Sequence, residues 1–125
     1  MLGDTEAIAT LAVKDLKRAA AFYEGMLGLK VKARQGEEVV SYATGSTVLN
    51  VYRSEFAGTN RATAACWAVG GRVDEIARAL KAKGVAFERY DLPGLELEGD
   101  VHVGHGMRVA WFKDPDGNIL NIVSG

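Results

Sequence analysis

The sequence contains little of what several classes of protein require. It has one cysteine, Cys66, in 125 residues, so an intramolecular disulfide is impossible. No apolar run approaches the roughly 20 residues that span a bilayer. The opening residues 1–16 have neither a basic leader nor a small-residue cleavage site. We therefore expect a cytoplasmic protein.

An excess of charge of one sign is also missing. Fifteen Lys and Arg residues stand against 16 Asp and Glu residues, which gives a formal net charge of -1 without a basic block. Nucleic acids and acidic lipid surfaces attract clustered cations, so we expect no nucleic-acid partner and no membrane partner. What the sequence does have is 48% hydrophobic residues, enough apolar surface for the core of one compact domain.

The single cysteine lies in the apolar run ATAACWAV at residues 62–69. Free cysteine is among the most buried residue types, so we expect Cys66 to be a small buried filler. The alternative is a reactive thiol, which would need a neighbour that lowers its pKa.

Two amphipathic segments predict two helices. The first follows Asp15, whose carboxylate can cap a helix start, and it ends at Gly28. The second runs from about Val73 to Lys83 with apolar residues at helical spacing, and Gly84 follows it. Three positions of the first segment and its flank have counterparts 56 residues later. Leu11 and Val13, before the first helix, correspond to Trp67 and Val69 before the second, and Gly28 corresponds to Gly84 at the helix end.

A repeat also joins the last predicted strand of each half. Predicted strands lie at about 30–33, 38–43 and 47–53, and then at 86–90, 107–112 and 118–124. The sequence VLNV at 48–51 matches ILNI at 119–122 in residue type at four consecutive positions. We therefore predict an α+β fold in a single domain with a duplicated βαβββ module, the first at about 5–55 and the second at about 61–125.

The second half is longer because of residues 92–106, a glycine-rich stretch that we expect to be an irregular loop. It carries the only two histidines, His102 and His105. Two neutral donors without a third make a poor zinc site. The remaining alternatives are a plain polar loop, or a loop over a ligand in which a histidine forms a hydrogen bond or acts as general acid or base.

Two segments are familiar. AVKDLKRAAAFYEGMLGLKV at 12–31 resembles the opening strand and helix of the vicinal oxygen chelate superfamily, and AWFKDPDGNILNIV at 110–123 resembles its closing hairpin. The segments FAGTN at 56–60 and YDLPGL at 90–95 are similar to a glyoxalase-like subgroup. The resemblance implies two βαβββ modules that form a concave cup, with the helices on the convex side. The Pro and Gly of DPDGN at 114–118 are typical of a tight turn and need no chemical role.

The resemblance also implies where a metal would lie. Members of this superfamily that use a metal place His, Gln or Glu ligands on the first and last strand of each module. The corresponding positions here are Ile8, Asn50, Ala64 and Asn121. Ile and Ala offer no lone pair, and neutral amides are weak ligands for divalent ions. We therefore expect no metal ion and no cofactor.

Strand alternation gives the predicted ligand-binding residues. If Leu49 and Leu120 pack under the helices, Asn50 and Asn121 face the cup. Tyr52 lies two residues from Asn50 and shares its face. Trp111 precedes Phe112, which resembles the superfamily's packed aromatic, so Trp111 also faces the cup. The residues that we expect to bind a ligand are Asn50, Tyr52, Trp111, Asn121, His102 and His105. The alternatives are aromatic packing or a dimer contact for Tyr52 and Trp111, and mutual pairing for the two amides.

Two function classes follow from the resemblance. The first is metal-independent binding or sequestration of a small aromatic or amphipathic molecule, as in the bleomycin-resistance branch. The second is an enzyme of the lyase, isomerase or dioxygenase type, which in this superfamily ordinarily needs the metal. The four substituted metal positions favour binding, and an interaction module without either function is a third alternative. The resemblance and the strand edges of such modules also predict a homodimer.

Overall fold

A computed structural model describes all 125 residues of the chain. The helices are α1 (Leu16–Ala20), which continues as the π-helical segment Ala21–Met26, and α2 (Val73–Ala82). The strands are β1 (Ala9–Val13), β2 (Lys30–Gln35), β3 (Val39–Thr44), β4 (Thr47–Arg53), β5 (Thr63–Ala68), β6 (Phe87–Glu88), β7 (Glu96–Glu98), β8 (Val101–Gly104), β9 (Met107–Lys113) and β10 (Ile119–Val123). The predicted α+β class is confirmed. Neither helix has the length and apolar character needed to cross a bilayer.

The chain divides into two compact units. The first unit comprises residues 1–60 and 115–118, and the second comprises 61–114 and 119–125. The sheet of the first unit has the order β1-β4-β3-β2, in which β1 and β4 are parallel and the other neighbours are antiparallel. The predicted βαβββ module is therefore present in the first unit.

The first unit buries one face of its sheet. Asp15 caps α1, as predicted, by accepting hydrogen bonds from the backbone N–H groups of Lys17 (2.8 Å) and Arg18 (3.3 Å). The ring of Tyr23 stacks on that of Tyr42 with centroids 5.9 Å apart. The other side chains buried on this face alternate along β1, β3 and β4: Leu11, Val13, Val40, Leu49 and Val51.

The second unit repeats this connectivity with one addition. Its sheet has the order β5-β10-β9-β8-β7, with β5 parallel to β10 and with β6 paired to β9. The prediction of an irregular loop over 92–106 is wrong, because β7 and β8 form an antiparallel hairpin there. Two of the glycines that suggested a loop lie at tight turns, Gly99 (φ 65°) between β7 and β8 and Gly106 (φ 73°) between β8 and β9. Both adopt the left-handed conformation that glycine tolerates.

Helix α2 fixes which face of the second sheet is covered. The guanidinium of Arg108 on β9 donates two hydrogen bonds to the Asp74 carboxylate on α2, at 2.9 and 2.8 Å. Side chains that share the face of Arg108 are buried: Ala110, Phe112, Leu120 and Ile122. Residues that alternate with these, including Trp111 and Asn121, leave the sheet on the opposite side.

The DPDGN turn is tied into the first unit. The amide Nδ2 of Asn118 donates to the Ala12 carbonyl (2.8 Å), and Arg18 pairs with Asp116 at 2.7 Å. Gly58 of the FAGTN segment (φ 80°) packs so closely that a Cβ there would meet the Asp116 carbonyl oxygen. Both segments that carried part of the resemblance therefore have a structural explanation.

Candidate functional site

The side of the second sheet opposite α2 carries several of the predicted ligand-binding residues. Asn121 on β10 is the direct ladder partner of Trp111 on β9 and of Cys66 on β5. His102 on β8 pairs with Val109, which lies two residues from Trp111 and therefore on the same side. We call this surface the Trp111 face, defined by Cys66, His102, Val109, Trp111 and Asn121.

Three rings form a cluster on the Trp111 face. The His102 and Trp111 rings meet edge to face, with centroids 4.9 Å apart and an interplanar angle of 87°. Tyr90 contacts Trp111 edge to face at 5.4 Å and lies at 33° to the His102 ring at 5.9 Å. Edge-to-face contacts of this kind are a preferred geometry for aromatic pairs and hold the rings in defined orientations.

His102 is buried, with 1% of its surface exposed, and one of its ring nitrogens has a partner. The backbone N–H of Tyr90 donates to Nε2 at 2.9 Å. Since Nε2 accepts this bond, the neutral ring carries its hydrogen on Nδ1. Nδ1 is buried and has no hydrogen-bond partner. The ring therefore presents one unused donor.

Asn121 presents the complementary group. Its carbonyl oxygen Oδ1 is buried and has no hydrogen-bond partner. The neighbouring indole N–H of Trp111 does not serve it, because that group donates to Thr63 Oγ1 at 3.1 Å. A buried acceptor without a partner costs about 1–3 kcal/mol, so such a group in a folded protein requires an explanation.

One ion pair lies on the Trp111 face, beside the indole. Glu88 faces Trp111 across the β6–β9 ladder, and its carboxylate contacts Lys113 at 3.1 Å. Around Asn121 and His102 the face offers neutral polar groups and aromatic surface. A neutral or weakly polar ligand suits that chemistry better than an ion does.

His105 lies apart from His102. It occupies the turn after β8, is exposed, and adopts a left-handed backbone (φ 52°). Its imidazole packs against Gly94, where a Cβ would collide with the ring. The placement of both histidines on one irregular loop is wrong, because His102 belongs to the regular strand β8.

The predicted residues of the first unit lie on the side of their sheet away from its buried face. Asn50 is half-buried, and its Oδ1 accepts a hydrogen bond from the Ser41 hydroxyl at 2.6 Å. Tyr52, two residues further along β4, is 36% exposed. The amide oxygen of Asn50 is thus satisfied within its own sheet, whereas that of Asn121 is not.

The four positions that correspond to the superfamily's metal ligands do not fit a metal. Ile8 precedes β1, and its apolar side chain is exposed; Ala64 lies at an irregularity in the β5–β10 ladder. The oxygen of Asn50 is occupied by Ser41, which leaves one amide oxygen as a donor. Divalent ions in proteins take several carboxylate, imidazole or thiolate ligands. No three His, Cys, Asp or Glu side chains of the chain come together in an arrangement that could hold such an ion.

Cys66 differs from its prediction. Its side chain is exposed, so the interpretation as a buried filler is wrong. Strand β5 is the edge of its sheet, and Cys66 projects from it on the Trp111 face beside Asn121. Partial burial raises the pKa of the Cys66 thiol, because it disfavours the charged thiolate. The thiol is therefore accessible and weakly nucleophilic.

Tyr90 and Thr63 belong to the site although the sequence did not assign them to it. Tyr90 contributes both its ring and its backbone N–H, and Thr63 orients the Trp111 indole. Both lie outside regular strand interiors, where alternation gives no direction. The YDLPGL segment, which begins at Tyr90, is the only sequence signal that points to this region.

A depression on the first unit contains none of the predicted residues. It is an open cleft of about 640 Å³ with Lys14, Arg34 and Arg53 among its lining side chains. Arg53 pairs with Glu38 at 2.8 Å, and both side chains are more than half exposed. Solvent screens exposed charges of this kind, so we assign no site there.

Comparison with known proteins agrees with this architecture. A family model described as Glyoxalase/Bleomycin resistance protein/Dioxygenase superfamily matches residues 7–122. A search of curated protein sequences finds no match.

Three solved structures illustrate the shared fold. A bleomycin-binding protein in complex with bleomycin is 21% identical, with a TM-score of 0.71 over 96% of this chain and 98% of that chain. Lactoylglutathione lyase from Agrobacterium tumefaciens is 19% identical, with a TM-score of 0.71 over 96% and 92%. The genomically encoded fosfomycin resistance protein FosX from Listeria monocytogenes is 19% identical, with a TM-score of 0.67 over 100% and 93%. At these identities the likeness concerns the fold alone.

Proposed function

Because the chain belongs to the glyoxalase/bleomycin resistance protein/dioxygenase superfamily, we propose that it binds a small aromatic or amphipathic molecule on the Trp111 face without a metal ion. The observation that carries this proposal is the buried carbonyl oxygen of Asn121, which lacks a partner beside an aromatic ring cluster. A ligand with a hydrogen-bond donor and a planar apolar body satisfies both features.

The energetics favour such a ligand. A planar ring packed against Trp111 gains stacking energy of about 0.5–1.5 kcal/mol beyond its buried area. A donor placed on Asn121 Oδ1 removes a desolvation penalty that the free protein carries, about 1–3 kcal/mol. Both terms act without a formal charge or a metal. Together they describe a mostly apolar site with a few placed polar groups, as in many small-molecule sites.

The relatives include a bleomycin-binding protein and a lyase, so they do not choose between binding and metal-dependent catalysis. One structural neighbour, a bleomycin-binding protein, holds bleomycin and is 21% identical to this chain. The neighbours also include a lyase and a fosfomycin resistance protein, so the fold by itself does not choose a function. The unsuitable donor set at the four superfamily metal positions supports the binding function.

Further parts of the proposal extend beyond the Trp111 face. We keep Asn50, Tyr52 and His105 as predicted ligand-binding residues, and we propose a cytoplasmic homodimer. Light scattering over a dilution series tests the assembly: twice the monomer mass at tens of micromolar is expected, and a monomer mass at that concentration contradicts the dimer.

The experiment for binding uses the two tryptophans. Trp67 projects on the side of β5 opposite to Cys66, so a Trp67→Phe variant leaves Trp111 as the only indole reporter. We expect benzamide, which combines a ring with N–H donors, to change the fluorescence of EDTA-dialysed Trp67→Phe protein saturably. Cyclohexanecarboxamide, the matched compound without the aromatic ring, should bind more weakly.

The reverse variant is the control. In Trp111→Phe protein, Trp67 is the only indole, and benzamide should leave its emission nearly unchanged. A panel of planar aromatic amides and phenols that gives no saturable change in either variant would contradict the proposed function. A change seen only after a divalent ion is added would contradict the metal-independent part of it.

A further inference from the structure

We propose that the ligand of the Trp111 face is a planar molecule with a hydrogen-bond acceptor at one end and a donor at the other, held between His102 Nδ1 and Asn121 Oδ1. This rests on the proposed function and specifies the class of molecule that the site takes. Its basis is that both atoms are buried, both lack partners and both side chains lie on one face of one sheet.

The polarity of the two ends follows from the hydrogen bonds already made. The Tyr90 backbone N–H fixes Nε2 of His102 as an acceptor, so Nδ1 of the neutral ring is a donor and requires an acceptor from the ligand. The Asn121 oxygen can only accept, so it requires a donor. A ligand with two acceptors, or with two donors, leaves one of these buried groups unpaired.

The spacing of the two ends follows from the sheet. Asn121 lies on β10 and His102 on β8, with β9 between them. On β9, Asn121 pairs with Trp111 and His102 pairs with Val109, so the two residues are offset by two positions along the strands. Strands lie about 4.8 Å apart and rise about 3.3 Å per residue, which places the two Cα atoms about 12 Å apart. Side chains on one face of a sheet project in the same direction, so the two polar atoms lie a similar distance apart. A hydrogen bond of about 2.9 Å at each end leaves about 6 Å, which is the span of two fused rings.

Trp111 lies in the middle of this arrangement. It is the ladder partner of Asn121, and its ring touches that of His102. Its own N–H is held by Thr63. The indole therefore offers ring surface between the two polar ends and does not compete with the ligand for either of them.

The test compares three probes with the same two-ring outline. In 6-hydroxyquinoline the ring nitrogen is an acceptor and the distant hydroxyl is a donor; quinoline lacks the hydroxyl, and 2-naphthol lacks the nitrogen. Titration calorimetry on EDTA-dialysed protein should show that 6-hydroxyquinoline binds about tenfold more tightly than either of the others, because each loses one of the two hydrogen bonds.

Variants assign each end. Asn121→Leu should bring the affinity for 6-hydroxyquinoline down to that for quinoline, and His102→Phe should bring it down to that for 2-naphthol. Asn60→Leu, at an exposed asparagine of the first unit, is the matched control for Asn121→Leu and should keep the full preference. Circular dichroism reports whether His102→Phe folds; if it does not, the three-probe series on the parent protein decides alone.

The outcomes separate the two proposals. Equal, saturable binding of all three probes would overturn the inference about the two ends and leave the proposed aromatic site standing. A preference that survives in Asn121→Leu would overturn the assignment of the donor end. Absence of binding by all three would overturn both this inference and the aromatic binding function on which it rests.

Discussion

Asn121 of β10 and Trp111 of β9 are direct partners in an antiparallel ladder, yet they make no hydrogen bond to each other. The indole N–H is used by Thr63, and the amide oxygen is buried without a partner. The free protein therefore carries an unsatisfied acceptor next to an aromatic surface. Features of this kind are costly for stability and typical of functional sites.

Removal of that acceptor should stabilise the free protein. In Asn121→Leu the unpaired oxygen is replaced by an apolar side chain, so we expect the free energy of unfolding to rise by about 1 kcal/mol. Urea denaturation of the parent and the variant, without ligand, measures the difference.

The same substitution at Asn118 is the matched control. Asn118 is 5% exposed and donates to the Ala12 carbonyl. Asn118→Leu removes this hydrogen bond and leaves the Ala12 carbonyl without its donor. We therefore expect the free energy of unfolding to fall by about 1–3 kcal/mol. If Asn121→Leu destabilises the protein as much as Asn118→Leu does, the Asn121 oxygen has a partner in solution.

Gly58→Ala should be strongly destabilising. The residue adopts φ 80°, and a Cβ would meet the backbone oxygen of Asp116, which cannot move as a side chain can. Left-handed strain of about 1–2 kcal/mol and overpacking of about 1–3 kcal/mol together predict a loss near 3 kcal/mol. Gly45→Ala is the control, because Gly45 has φ 55° but open space around it and should lose only about 1 kcal/mol. Similar losses at both glycines would mean that the FAGTN segment does not pack against the DPDGN turn.

Asp100 should make part of the stability depend on pH. Burial acts to raise the pKa of its carboxyl, but hydrogen bonds from Lys81 (3.1 Å) and Arg89 (3.2 Å) outweigh this, and the pKa lies below its ordinary value of 3.8. A carboxyl with a lowered pKa in the folded state stabilises the protein above its unfolded-state pKa and loses this contribution as the pH falls through its folded-state value.

The Asp100→Asn variant isolates this effect. At pH 7 we expect it to be less stable than the parent by about 0.5–1 kcal/mol, and we expect the difference to shrink as the pH falls below the ordinary carboxyl pKa of about 4. Urea denaturation at a series of pH values gives the comparison. A difference that stays constant across the series would show that the two ion pairs contribute nothing.

Cys66 should report occupancy of the Trp111 face. It is the only cysteine, it is exposed, and it is the ladder partner of Asn121. Since partial burial raises the pKa of its thiol, alkylation by iodoacetamide should be slow at neutral pH and accelerate as the pH rises. Benzamide at a saturating concentration should slow the alkylation of folded protein and leave the rate in urea unchanged. An unchanged rate in the folded protein would place the bound benzamide elsewhere.

Much of the fold could be predicted because its signals are local. The Asp15 cap, the helical spacing after Val73 and the alternation around Asn50 and Asn121 each depend on neighbours within a few residues, and the structure contains the helices and strands that they predict. The hairpin of β7 and β8 was missed because its glycines, which read as a loop, instead form the turns of two short strands.

The candidate site could be predicted only in part. Alternation gives the face of Asn121 and Trp111, but it cannot show that Thr63 holds the indole N–H or that Tyr90 occupies Nε2 of His102. Those contacts join residues 48 and 12 positions apart, and they decide which polar atoms are left without partners. The prediction that Cys66 is buried was wrong because it rested on the apolar sequence around it. An apolar strand at the edge of a sheet can still expose side chains, and β5 is such a strand.

The most direct test of metal-independent binding on the Trp111 face is a heteronuclear NMR titration of EDTA-dialysed protein with 6-hydroxyquinoline. One spectrum shows the indole N–H signals of Trp111 and Trp67 and the side-chain amide signals of Asn121 and Asn118. We expect saturable shifts at Trp111 and Asn121, with Trp67 and Asn118 nearly unchanged. Saturable shifts at Trp67 and Asn118 while Trp111 and Asn121 stay fixed, or shifts that require an added divalent ion, would contradict the account.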